Sequence, residues 1–224
     1  MRDRYTRYPR PILWLIPGGE AWIGESEPDA LPASLVEVEP FYLSKFPVTN
    51  EQFEAFDPAF QRSELSPRDT DPAMGLSWTE ADEYCRWYAE VSRKPMRLPS
   101  EVEWEYACRA GGHGRFFFGD DPKEADLYLW DASNSEGRVQ PADRKRANGF
   151  GLFGMLGGVW EWTASAYGSP AGGTVERAET DEERVLRGGS FCTPREEVAC
   201  SLRRGAPADR AVADAGFRIA RSFH

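Results

Sequence analysis

Between Gly111 and Gly158 the sequence loses every regular period. Gly, Asp, Asn and Pro punctuate it at short intervals, in "FFFGDDP", "DASNSEG" and "ANGFGLFGMLGG". A stretch of that length without helix or strand is uncommon in a compact domain unless it carries function or is clamped by its surroundings. The scaffold must therefore be one that can order a long irregular segment, and a helical bundle is excluded. The 21 Gly and 17 Pro residues agree with a loop-rich chain, and 8 Trp, 8 Tyr and 13 Phe supply bulk for a core. The length of 224 residues suits a single domain, 1–224.

Regular elements flank the loops. The run "ILWLIPGGEAWIG" reads as a hairpin turning at Pro-Gly-Gly. Val36, Val38, Phe41 and Leu43 mark half-buried strands. "TNEQFEAF" reads as a helix capped by Thr49 or Asn50, with Phe53 and Phe56 on one face. Two capping boxes, Ser77/Glu80 and Ser100/Glu103, open further helices, the second stopped by Gly111. Trp78, Ala81, Cys85 and Tyr88 form one apolar stripe and Trp104, Ala107 and Cys108 another, so Cys85 and Cys108 are expected in the core. "VWEWTASAY" reads as a strand, and the charged run "GSPAGGTVERAETDEER" as a mobile insertion.

The net charge of −10 opposes a phosphate backbone, so a nucleic-acid partner is not expected. No run approaches the roughly 18 apolar residues of a membrane helix, and the opening segment, interrupted by two prolines, does not read as a signal peptide. The 4 cysteines are too sparse for a disulfide scaffold and fit a cytoplasmic protein.

The segments "IPGGEAWIGES", "FYLSKFPVTNEQFEAF", "LSWTEADEYCRW", "RLPSEVEWEYACRAG", "NGFGLFGMLGGVWEWTAS", "RVLRGGSF" and "GFRIAR" occur in the order seen in the formylglycine-generating-enzyme (sulfatase-modifying factor) family. The resemblance runs from about Ile16 to Arg221. It implies an α+β, C-type-lectin-like fold: a small twisted antiparallel sheet, two main helices and much of the chain in ordered loops. Family members include copper oxidases that convert a substrate cysteine to formylglycine, iron enzymes, non-catalytic domains and variable proteins of diversity-generating retroelements.

The resemblance gives each branch a residue test. The copper branch carries two cysteines five apart after the Gly-Gly-Ser; here Cys192 and Cys200 are eight apart, and counting back from Gly216-Phe217-Arg218 places Arg203 on the framework arginine with Cys200 outside the copper pair. Iron is bound by three histidines there, and this chain has His113 and His224 alone. Calcium loops of the family carry an Asn where this chain has Gly158, leaving Asn134, Glu136, Asp131 and Asp143 as possible helpers. Ser190 has no histidine partner for hydrolysis, and the glycines of "GFGLFGMLGG" do not form a phosphate loop.

The interval 192–215, framed by Gly188, Gly189 and Gly216 and by Arg203, Arg210 and Arg218 as braces, reads instead as a presented surface. Its displayed residues are expected to be Cys192, Thr193, Leu202, Arg204, Gly205, Ala206, Ala208, Asp209, Ala211, Val212, Ala213 and Asp214. In residues 192–215 only Glu196 and Glu197 belong to the set that adenine-directed diversification seldom produces (Lys, Gln, Glu, Met, Trp). The expectation is a non-enzymatic domain that binds a protein or other macromolecule through this surface, retroelement-diversified or not, without metal or cofactor. Two alternatives stand beside it: a copper-dependent oxidase using Cys192 and Cys200 on a cysteine peptide, and an interaction domain of fixed specificity.

Overall fold

A computed structural model describes residues 8–25, 33–168 and 183–223. The start of the chain before Tyr8, positions 169–182 of the charged insertion and His224 lie outside the described residues.

The N-terminal strands form a bent ribbon rather than the hairpin expected at Pro-Gly-Gly. β1 (Leu13–Ile16) pairs antiparallel with β4 (Phe41–Ser44), and β2 (Gly19–Ile23) with β3 (Ser34–Val38). Ile16 opposes Phe41 and Gly19 opposes Val38, so one register continues across a corner at Pro17-Gly18 and Glu39-Pro40. A Cβ on Gly18 would lie 2.7 Å from both the Pro40 ring and the Val38 carbonyl oxygen. The glycine serves close approach of two bending strands, not reversal of one, which is why the turn signal misleads.

The helices follow their sequence signals. α1 (Asn50–Glu54) is capped by Thr49, whose N–H donates to the Gln52 side chain. α2 (Trp78–Ser92) and α3 (Glu101–Arg109) open with the Ser77/Glu80 and Ser100/Glu103 boxes. Ala81, Cys85 and Tyr88 are buried from α2, and Trp104, Ala107 and Cys108 from α3. A short α4 (Ala125–Tyr128) sits inside the long irregular segment.

The second half supplies a four-stranded sheet in the order β7-β6-β5-β8, made of β5 (Trp160–Ala166), β6 (Glu183–Arg187), β7 (Arg203–Pro207) and β8 (Ala215–Phe217). Its β5–β8 pairing is parallel, the one departure here from antiparallel geometry. β9 (Ala220–Ser222) crosses back to pair with β4. α3 lies between the β2–β3 ribbon and this sheet, touching β2, β3, β5 and β6. One core cluster gathers Trp104, Phe41 and Phe116 around α3; a second gathers Tyr84, Trp162 and Phe217 around α2. The long irregular segment is clamped, as its length demands: Asn148 alone donates to the carbonyls of Ala107 and Cys108 and accepts from the N–H groups of Phe150 and Leu152.

Candidate functional site

The frame around residues 192–215 is built from buried ion pairs. Arg187, at the end of β6 and fully buried, donates to Glu101 at 3.2 Å, to Glu105 at 2.5 Å, and to the carbonyls of Ser201 and Cys200 at 2.9 and 2.8 Å. Arg203 grips Glu101 through two bonds of 2.8 and 2.9 Å and lies over the Tyr167 ring. Arg218 binds both oxygens of Glu161 at 2.6 and 2.7 Å and caps the carbonyls of Ser44 and Phe153. The Trp104 indole also donates to Glu161, at 2.7 Å. Charges this deep persist because each carboxylate is matched by a fork of donors. Arg210 departs from the expected bracing role: it is exposed, and no side-chain hydrogen bond or ion pair holds it among the described residues. It sits at a turn after β7, beyond reach of the acidic residues that α3 and β5 supply.

The glycines of the frame answer close contacts. A Cβ on Gly188, at φ +95°, would stand 2.9 Å from the Met155 carbonyl oxygen and 3.0 Å from the Trp104 ring. At Gly216 it would meet the Ala73 carbonyl oxygen at 2.4 Å.

Within the frame, the main chain of the first turn is pinned. The Phe191 N–H donates to Gly158 O, the Ser135 hydroxyl donates to Phe191 O, and the Ala132 N–H donates to Thr193 O. Arg195 bridges Asp131 at 2.6 Å and Asp126 at 2.5 Å. The sequence carries no local signal of this clamp, because the acids lie more than sixty positions away in the irregular segment.

The expected display residues divide by exposure. Cys192, Asp209, Ala211 and Ala213 are exposed, while Leu202, Arg204, Gly205, Val212 and Asp214 are half-buried. Thr193, Ala206 and Ala208 are buried and are not displayed. The Thr193 hydroxyl accepts the Ser190 N–H at 2.8 Å, Ala206 faces the α2 core, and the Ala208 carbonyl takes both the N–H and the hydroxyl of Thr79. Gly205 is not a variable position either, since a Cβ there would run into the Tyr167 ring at 2.6 Å.

Three of the half-buried and exposed residues are physically joined. The Ser190 hydroxyl donates to Asp214 at 2.6 Å and accepts the Cys192 N–H at 3.2 Å, tying the two ends of the interval together. Arg204 lies over the Trp160 ring at 4.9 Å and approaches Asp214 at only 3.8 Å. Its guanidinium edges make no hydrogen bond among the described residues, unlike those of Arg187, Arg203 and Arg218. Trp160 was readable as a strand residue, but its role as a platform for Arg204 depends on the β5–β6–β7 pairing. Partial burial, followed by the charge of Asp214, pushes the Cys192 thiol up from its ordinary range.

The residues do not fit copper held by two thiolates. Cys192 is at the surface, whereas Cys200 is buried in a turn, with its Sγ 3.7 Å from that of Cys108. Burial pushes the Cys108 thiol well up, against thiolate formation. Calcium fares no better. Asp131 spends one oxygen on Ser133 and the other on Arg195, and the Asn134 oxygen accepts the Asp131 N–H. Glu136 and Asp143 are exposed, and Gly158 contributes no side chain.

Taken together, the fold and the site define a loop-rich α+β domain of C-type-lectin-like architecture, with a clamped interval near one end of a mixed sheet. The chain belongs to the family described as the sulfatase-modifying factor enzyme 1-like domain, whose model matches residues 3–223. It is 28% identical to the inactive C-alpha-formylglycine-generating enzyme 2 of Mus musculus, over 95% of this chain and 86% of that protein. It is 26% identical to the Mus musculus formylglycine-generating enzyme, over 96% and 77%. Among solved structures, PvdO from Pseudomonas aeruginosa superposes with a TM-score of 0.82 at 26% identity, covering 95% of each chain. The Treponema denticola variable protein 1 superposes with a TM-score of 0.81 at 20% identity, covering 93% of this chain and 94% of that one.

Proposed function

We propose that this chain is a non-catalytic member of its family that binds a protein or other macromolecular ligand through the surface around Cys192, Arg204, Asp209, Ala211, Ala213 and Asp214. The observation that carries the reading is the separation of the cysteines. With Cys192 outside and Cys200 closed against Cys108, the two cysteines of the interval face no common space. What remains is a rigid frame bearing an open set of side chains, the arrangement in which surface residues change without cost to the core. Arg204, stacked but with free edges, is the natural anchor for an acceptor group on the ligand. The reading carries no metal or cofactor and, with a net charge of −10, neither nucleic acid nor an anionic membrane as partner. No helix among the described residues is long and apolar enough to cross a membrane. Four free cysteines suit a reducing, cytoplasmic setting.

The decisive experiment incubates the full chain with Cu(I), dioxygen, a thiol reductant and a cysteine peptide of the Cys-x-Pro-x-Arg type, with mass spectrometry for the aldehyde. No product above the metal-only control is expected, and turnover abolished by Cys192→Ala would refute the proposal. Sequencing the codons for 192–215 across a population tests diversification. Changes confined to the exposed positions, with Arg203, Arg218 and Gly216 constant, support it, whereas an invariant interval favours fixed specificity.

A further inference from the structure

The β2–β3 ribbon has two faces with different fates. Its inner face, with Ala21, Ile23, Val36 and Val38, packs on the core around α3. The ribbon is also tied down at both ends of β2: the Tyr106 hydroxyl donates to Pro17 O at 2.8 Å, and the Gly24 N–H donates to Glu105 at 2.9 Å. Its shape is therefore fixed by contacts that do not involve the outer face.

That outer face carries four side chains in a rectangle. Trp22 stands opposite Leu35, and Glu20 stands opposite Glu37. Trp22 is 56% exposed and Leu35 53%, the most exposed large apolar pair facing each other across strands among the described residues. Neither helps to hold the ribbon on α3. Both glutamates are exposed, and like charges placed directly opposite destabilise a strand pair. A tryptophan is also the side chain most enriched at the centres of protein interfaces. Two costs on one rigid face, an uncovered Trp–Leu pair and a Glu–Glu pair with no counter-charge among the described residues, are both relieved by the same kind of occupant.

We propose that the outer face of the β2–β3 ribbon is a docking surface for an extended protein segment carrying an apolar and a basic residue two positions apart. The spacing follows from geometry: Glu20 and Trp22 are two residues apart on β2, as are Leu35 and Glu37 on β3, which is about 7 Å along a strand. An extended partner repeats with the same step, so its apolar side chain covers Trp22 and Leu35 while its ammonium or guanidinium lies between Glu20 and Glu37. A second copy of this face would set four carboxylates against one another, and an anionic lipid surface would be repelled. The surface lies across α3 from the four-stranded sheet, and the proposal is independent of any ligand held around Arg204.

The test uses the full chain and two synthetic peptides, Thr-Val-Thr-Leu-Thr-Lys-Thr-Val-Thr and the same sequence with Glu in place of Lys. Binding is followed on the Trp22 indole N–H signal in nitrogen–proton correlation spectra, assigned with Trp22→Phe. The Lys peptide is expected to give a saturable shift of that signal, and the Glu peptide to bind about tenfold more weakly or not at all. Glu20→Gln combined with Glu37→Gln should weaken the Lys peptide by about tenfold. Trp22→Thr with Leu35→Thr, which keeps strand-forming residues, should abolish binding without lowering the melting temperature. Arg204→Ala should leave it unchanged. The proposal is overturned by a Trp22 signal that does not move, by equal response to both peptides, or by concentration-dependent self-association through this face.

Discussion

Replacing Arg187 by Met removes a charge but keeps an unbranched side chain in the same space. Glu101 and Glu105 would each keep one arginine, Arg203 and Arg109 respectively, so neither carboxylate is stranded. The carbonyls of Cys200 and Ser201, however, lose their side-chain donor. Leaving a buried acceptor without its donor costs about 1–3 kcal/mol for each of the two carbonyls. A fall of that size should appear in urea unfolding as a lower midpoint at unchanged slope. Glu105→Gln added to the same chain should recover part of the loss, with a coupling of about 0.5–3 kcal/mol in the double-mutant cycle. A single-mutant cost below about 1 kcal/mol, or strict additivity, would show that Arg187 is not what joins α3 to the turn leading into β7.

Gly157 and Gly158 share a left-handed backbone but not their surroundings: a Cβ on Gly157 would stand 2.1 Å from the Trp130 carbonyl oxygen, while on Gly158 it meets nothing within 4 Å. Gly158→Ala should therefore cost about 1–2 kcal/mol in chemical unfolding, and Gly157→Ala should yield little soluble protein; equal behaviour would contradict the local geometry. Tyrosine placed at Ala211 or Ala213 should change stability by about 0.5 kcal/mol or less, whereas tyrosine at Ala206 or Ala208 should unfold the chain, as read by thermal denaturation. Cys192 should react with iodoacetamide at pH 8 more slowly than a cysteine in an unstructured peptide, because its raised thiol pKa leaves less thiolate there. Asp214→Asn should speed that reaction and move its midpoint to lower pH, and an unchanged profile would remove Asp214 from the account.

The helices were legible because their signals are local. Ser77 and Glu80, or Ser100 and Glu103, lie within one turn and bond as their sequence order implies. The ribbon is not legible locally: Pro17-Gly18 looks like a reversal when considered alone, and only the chain at Val38-Pro40, about twenty residues on, makes it a corner. At the site, Arg203 and Arg218 followed from the frame, while Arg210 shared their residue type but not their acidic partners. Thr193, Ala206 and Ala208 read as display residues in the sequence because small side chains look alike whether they line a surface or fill a crowded interior. Which one applies depends on where β7 pairs, and the pairing of β7 with β6 has no local sequence signal.

Arg218 also sets an order of events. Its bond to the Ser44 carbonyl spans 174 positions, and β9 closes the sheet that β1 and β4 began. On a ribosome, Glu161 would leave the exit tunnel well before its partner, with its carboxylate still in water. The hydrophobic clusters can collapse early, but burial of Glu161 must wait for Arg218. Contacts this distant in sequence slow folding, so the docking of Arg218 on Glu161 should be a slow step. A nascent chain halted short of Arg218 would be compact, bind hydrophobic dyes and remain sensitive to protease, and extension past that residue would convert it.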